Sequence, residues 1–270
     1  MPIDLTNRPI AITGASSGIG RAAALACARA GMPVAVLARR TERLEELCSQ
    51  IESQGGRAIA VPGSVEVRED CEALIERTVE AFGSIYGVYA NAGYSHERAC
   101  IDMSDDEIRR MFEVNFYGSL NVVYPALEHM RRAGAGHVVF CSSCLSKIAP
   151  PRYGCYSATK ACQDHFARSM RLELRGTGVH VSSVHPIPTK TEFFEAKQAG
   201  AEVHNQPPGW LMQSPERVAS AMVRCLRRPR GEVWTSTITR LLFGLGVMAP
   251  GLADWVLAQV IKTEQTPNQG

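Results

Sequence analysis

Tyr156 and Lys160 stand four residues apart in a segment, 156–175, whose apolar residues recur with a helical period, so their side chains share one helix face. A free phenol, with a pKa of about 10, is a poor base at neutral pH, and a nearby ammonium favours its phenolate by about 1 to 3 units. The pair reads as a tuned proton donor or acceptor. A second constellation, Thr13-Gly14-Ala15-Ser16-Ser17-Gly18-Ile19-Gly20, lies between an apolar run and an amphipathic one. Backbone N–H groups at such a strand-to-helix turn, aided by the positive end of the helix dipole, suit a pyrophosphate. The glycine spacing is G-x-x-x-G-x-G, which departs from the commoner G-x-G-x-x-G fingerprint.

These groups need a scaffold, and the chain alternates short apolar runs with longer amphipathic stretches, the signature of βα units building a parallel sheet. Runs at 8–13, 33–38, 57–61, 85–90, 137–142 and 179–184 are rich in Val, Ile and Ala and predict strands, with 232–236 as a last one. Helical periodicity covers 21–30, 41–54, 66–82 and 105–130. Ser104 before Asp105-Asp106-Glu107, and Ser214 before Pro215, supply capping hydroxyls at helix starts. Ser143 falls thirteen residues before Tyr156, just beyond the fifth strand, where ligands of such sheets bind.

Composition narrows the function classes. At 270 residues the chain suits one α/β domain over 1–270, and its 45% hydrophobic, 21% charged make-up excludes disorder and fibrous classes. A net charge of +2 with no basic run interleaved with aromatics gives nucleic acid no handle. Nine scattered cysteines without a secretory leader point to a reducing, cytoplasmic setting rather than a disulfide framework. Cys141-Ser-Ser-Cys144 closes a strand instead of opening a helix, so both thiols read as small apolar fillers. No metal site is expected.

The glycine spacing, Asn91-Ala92-Gly93 and Tyr156-Ser-Ala-Thr-Lys160, in this order within about residues 9–228, resemble the short-chain dehydrogenase/reductase family. The resemblance implies a Rossmann-like, doubly wound parallel sheet of about seven strands with helices on both faces. It implies an NAD(P)-dependent oxidoreductase acting on a small-molecule alcohol or carbonyl, assembled as a homodimer or homotetramer. Tyr156 would be the general acid or base, Lys160 would tune it and hold the nicotinamide ribose, and Ser143 would bond the substrate oxygen. Asn115 would support a water that connects Lys160 to solvent. Gly14, Ser16, Ser17, Gly18, Ile19 and Gly20 would carry the cofactor, with Asn91, Ala92 and Gly93 beside it. Pro186, Thr189 and Thr191 would hold the carboxamide, and Ser143, Cys144, Tyr94, Tyr153 and Phe193 would surround the substrate.

The second strand ends Leu37-Ala38-Arg39-Arg40, with no acid to bond a ribose 2′-hydroxyl and two cations for a 2′-phosphate, which favours NADP(H) over NAD(H). Three positions depart from the family pattern: Ser64 replaces the adenine-contacting aspartate, Ile187 a glycine, and Ser146 another glycine. A catalytically idle dinucleotide sensor or scaffold, and an isomerase, epimerase or dehydratase, are the rival readings. The joint presence of Ser143, Tyr156 and Lys160 favours the oxidoreductase.

Two later segments carry the remaining expectations. Residues 189–213 read as an apolar substrate lid holding Phe193, Phe194, Trp210, Leu211 and Met212, which suits a hydrophobic substrate. Residues 237–262 form an apolar helical extension broken by Arg240, Pro250 and Asp254, too short to span a bilayer. A subunit interface, a pocket cover and peripheral membrane contact are its candidate roles, and residues 263–270 read as a tail.

Overall fold

A computed structural model describes residues 1–192 and 212–260. Seven parallel strands, β1 (Ile10–Thr13), β2 (Val34–Ala38), β3 (Ala58–Pro62), β4 (Gly87–Ala90), β5 (Gly136–Cys141), β6 (Val179–His185) and β7 (Glu232–Trp234), form one sheet in the order β3-β2-β1-β4-β5-β6-β7. All seven predicted strands are present, each within about two residues at either end. The central strands are buried on both sides, and their alternation divides two cores. Ile10, Ile12, Val34, Val36 and Val139 point into one core, while Ala11, Ala35, Leu37, Val138 and Phe140 point into the other.

Helices α1 (Gly18–Arg29), α2 (Thr41–Ser53) and α7 (Pro215–Arg227) cover the first face through residues such as Ala23, Leu47 and Met222. Helices α3 (Arg68–Phe82), α5 (Gly118–Ala133) and α6 (Gly154–Glu173) cover the other through Leu74, Val122 and Met170. Between α3 and α5 runs α4 (Asp105–Phe112), opened by a reciprocal capping box in which the Ser104 hydroxyl accepts from the Glu107 N–H and the Glu107 side chain accepts from the Ser104 N–H. Ser214 caps α7 with Pro215 in the first turn.

One expectation is corrected. The continuous helix over 105–130 is two α-helices joined by a π-turn over Glu113–Tyr117, with Pro125 inside the second. The inserted residue shifts the register and turns Asn115, fully buried, toward the sheet.

The apolar C-terminal stretch forms α8 (Thr237–Met248) and α9 (Pro250–Val260), bent by 119° at Pro250. Among the described residues no single helix is long and apolar enough to cross a membrane. Leu241, Leu245, Met248, Leu252 and Trp255 are exposed, while Gly246 of α8 sits over Ile148, beyond the turn that follows β5.

The strand order reverses between β1 and β4, and their carboxyl ends diverge into a crevice. Every motif of the sequence reading opens onto that end of the sheet.

Candidate active site

β1 ends at Thr13, and the chain turns through Gly14–Ser17 into α1. Gly14 has φ +67°, and a Cβ there would stand 2.8 Å from the Ala92 Cα, so only glycine lets the turn close against β4. The crevice is clasped across its floor. The Asn91 and Ala92 N–H groups both donate to the Thr13 hydroxyl at 3.1 Å, and the Asn91 amide donates to the Thr13 carbonyl at 3.0 Å. Gly93 lies against Asn115, Gly18 against the Thr191 side chain, and Ile19 packs on the core. Ser17 occupies the position before α1 without capping it, so its hydroxyl is left for other partners. A helix start with bare N–H groups, a glycine cradle that any Cβ would fill and two hydroxyls suit a pyrophosphate.

The two arginines after β2 part company. Arg39 is exposed and makes no hydrogen bond among the described residues, whereas Arg40 folds back and donates to Ser16 at 2.9 Å and Ser17 at 3.0 Å. Ser64 lies beyond β3, with its N–H donating to Asp70 at 2.8 Å and its hydroxyl donating to Glu66 at 3.3 Å. At the far end of the crevice the Pro186 carbonyl accepts from the Cys144 N–H, tying the turn after β6 to the turn after β5. The Ile187 carbonyl accepts from Thr189, and Thr189 pairs with Gln213 in a parallel bridge. That bridge zips together the two ends of the predicted lid. Phe193 and the lid's other aromatics lie outside the described residues.

The reactive groups converge between β5 and α6. The Ser143 hydroxyl is hydrogen-bonded to the Tyr156 phenol, and Lys160 stands behind with its Nζ 5.8 Å from the Tyr156 ring centre. Burial pushes the phenol well above its ordinary value, while the Ser143 bond pulls it back. The lowering expected from Lys160 does not appear: burial dominates, and only the Ser143 bond works against it. Burial also lowers the pKa of Lys160.

Lys160, 3% exposed, donates to the Cys141 carbonyl at 2.7 Å and to Gln163 Oε1 at 3.0 Å. Gln163 Nε2 then donates to the Asn115 carbonyl and to the Ser119 hydroxyl, both at 2.6 Å. The amide can face only this way, since a flip would set donor against donor at the lysine and acceptor against acceptor at Asn115. Asn115 is thereby joined to Lys160 through a carboxamide, and its own side chain brackets both backbone groups of Tyr94 at 2.9 Å. Gln163, one turn beyond Lys160 on the same face, was findable from its i, i+3 spacing but carries no motif of its own. Gln163→Leu is expected to cost about 1–3 kcal/mol, the penalty of orphaned buried partners, and should lower the urea midpoint accordingly. An unmoved midpoint would show that the bridge holds nothing.

Tyr94 and Tyr153 border the same end of the sheet, and Cys144 is buried with its thiol pushed up to about 12, so it is no thiolate. Tyr153 donates to the buried Glu97 carboxylate at 3.2 Å. Sequence reading passed over Glu97, and it passed over His185 too. The His185 ring stacks on Trp234 at 4.6 Å, and Nδ1 lies 3.2 Å from the Ser143 carbonyl. Since a carbonyl only accepts, Nδ1 carries the proton, and burial keeps the imidazole neutral. Asp164 lies beyond it at 3.7 Å and is paired in turn with Lys147 at 3.2 Å. These residues come from four separate elements, so no local spacing links them.

Comparison with known proteins agrees with this geometry. The sequence model of a family described as short chain dehydrogenase matches residues 8–202. A glycine betaine reductase of Emericella nidulans is 33% identical over 227 residues, which make up 83% of this chain and 18% of that much longer protein. An L-rhamnose 1-dehydrogenase (NAD(P)(+)) of a Sphingomonas species is 32% identical over 225 residues, 81% of this chain and 89% of its own length. A solved short chain dehydrogenase/reductase of Burkholderia phymatum in complex with NAD shares the fold, with a TM-score of 0.84, 93% of this chain and 96% of that one covered, and 22% identity.

Proposed function

The chain belongs to the short-chain dehydrogenase family, whose members are oxidoreductases of alcohols and carbonyls, and from that premise we propose that it is an NADP(H)-dependent carbonyl reductase or alcohol dehydrogenase for a hydrophobic substrate. The observation that carries the reading is the Ser143–Tyr156 hydrogen bond backed by Lys160, set at the strand ends beside the glycine cradle. When bound, the nicotinamide supplies or accepts the hydride.

The residues of the chain handle the proton and the developing charge. In reduction Tyr156 gives its phenolic proton to the carbonyl oxygen, and Ser143 donates a hydrogen bond to the same oxygen as negative charge builds there. The buried Lys160 ammonium faces the tyrosinate that results, anchored by Cys141 and Gln163. In oxidation each transfer reverses. Asn115 braces this set through its bonds to Tyr94 and Gln163. Gly14, Gly18, Gly20, Ser16 and Ser17 receive the pyrophosphate half of the cofactor, Asn91, Ala92 and Gly93 its inner edge, and Pro186, Thr189 and Thr191 its nicotinamide end.

Two features support the finer choices. Arg40, turned onto Ser16 and Ser17, offers a planar cation to a 2′-phosphate. The apolar α8, lying beside the turn that follows Ser143, favours a hydrophobic substrate. Purified protein offered NADPH or NADH with a panel of short polar, long-chain and cyclic carbonyls should consume NADPH faster than NADH, and fastest with the long-chain or cyclic compounds. Equal rates with small polar carbonyls would overturn the hydrophobic assignment. Tight NADPH binding with no turnover across the panel would move the reading to a cofactor sensor.

A further inference from the structure

Arg40 has a second engagement. Its Nη1 donates to Glu192 Oε2 at 2.9 Å, and Arg43, one turn into α2, donates to the other oxygen of the same carboxylate. Glu192 therefore bridges two guanidiniums with one oxygen on each, and their proximity holds its carboxyl below the usual carboxylate range. The bridge joins chain segments 152 and 149 residues apart and sits at the rim of the Ser16–Ser17 turn. Two arginines and two serine hydroxyls gathered at the end of β2 make a site for an oxyanion, and a carboxylate of the chain itself already occupies it.

Glu192 is also fastened at its other side. It follows Thr191, whose methyl group packs on Gly18, and Lys190, whose N–H donates to the Gln213 carbonyl at 2.9 Å. One side chain thus links the adenosine end of the crevice to the stretch at its nicotinamide end.

We propose that Glu192 is a specificity-determining residue that competes with the cofactor's 2′-phosphate for Arg40 and Arg43. NADP(H) must displace the carboxylate from both guanidiniums to be seated, whereas NAD(H), which carries a hydroxyl there, leaves the bridge intact. The phosphorylated cofactor alone frees Glu192 from α2, while Thr189 and Lys190 stay tied to Gln213. The bridge also sets the cost of choosing NADP(H): part of the attraction of the arginines for phosphate is spent on detaching Glu192. This inference rests on the NADP(H) reading above.

Fluorescence titration with NADPH and with NADH tests it without requiring turnover. Glu192→Gln should tighten NADPH about three- to tenfold, the span expected from two competing exposed ion pairs, and leave NADH within about twofold. Glu192→Asp keeps the charge but shortens the reach, so it should tighten NADPH nearly as much. Arg40→Met should weaken NADPH. Unchanged NADPH affinity in Glu192→Gln, or equal tightening of both cofactors, overturns the proposal. An aspartate variant identical to wild type while the glutamine variant tightens also overturns it, since net charge alone would then be acting. If Arg40→Met weakens NADPH but Glu192→Gln is inert, the competition fails and the NADP(H) reading stands. If Arg40→Met binds NADPH like wild type, that reading fails and takes the proposal with it.

Discussion

Tyr156→Phe should lower turnover by about 100- to 10,000-fold, the range spanned by general acid–base catalysis, while NADPH binds within about twofold of wild type. The substitution removes one oxygen and leaves the ring that packs near Lys160, so the cradle at Gly14–Gly20 is untouched. Among the described residues, the groups nearest Tyr156 are unsuited to take over. Ser143 is an aliphatic hydroxyl and far too weak an acid, Tyr153 is committed to the Glu97 carboxylate, and the Cys144 thiol is buried and pushed up to about 12. Rates followed by NADPH absorbance beside affinities from fluorescence separate the two effects. Retained turnover would place the proton donor elsewhere, whereas loss of binding together with turnover would mean that the ring, not the hydroxyl, is what matters.

Gly20→Ala should be the most damaging single methyl in the cofactor cradle. A Cβ there would lie 2.3 Å from the Gly14 carbonyl oxygen and 2.7 Å from the Asn91 amide, and the nearer of these atoms is backbone that cannot swing aside. Overpacking of this kind costs about 1–3 kcal/mol. Helix propensity would return about 1 kcal/mol for replacing glycine in α1, so the clash must exceed that to register, and contact with a fixed carbonyl belongs at the upper end of the range. The expected result is a lower urea midpoint and loss of measurable NADPH binding, since the turn that receives the pyrophosphate has to move. Gly244→Ala in α8, where nothing lies within 4 Å, is the control and should be neutral or slightly stabilising. Wild-type affinity in Gly20→Ala would mean that the turn yields without harm.

What could be read in advance follows from range in the sequence. The strands were legible because Ile, Val and Ala runs buried on both faces leave no other assignment, and α4 and α7 because Ser104 and Ser214 cap them within one turn. Tyr156, Lys160 and Ser143 were legible because their spacing is local to one strand and one helix. The π-turn at Asn115 was not, since one inserted residue hardly disturbs a hydrophobic period, and the partner that meets its carbonyl, Gln163, is 48 positions away. Choosing between Arg39 and Arg40 needed the path of the chain leaving β2. His185, Asp164, Lys147 and Trp234 meet only once the sheet is assembled, and Glu192 acquires meaning only when β6 delivers it to α2.

The clasp between Thr13 and Asn91 has a consequence for the order in which the protein takes shape. Its two halves are 78 positions apart, and β1 lies in the middle of the sheet with β4 as its second neighbour. A nascent chain carries the whole glycine turn long before it carries β4, and until then that turn has no facing wall and no partner for the Thr13 hydroxyl. Nucleotide recognition is therefore a property of high contact order housed in an element that looks local. The segment up to α3 can build β3, β2 and β1 with their helices, but its glycine turn gains a facing wall only when β4 and Asn91 close against it.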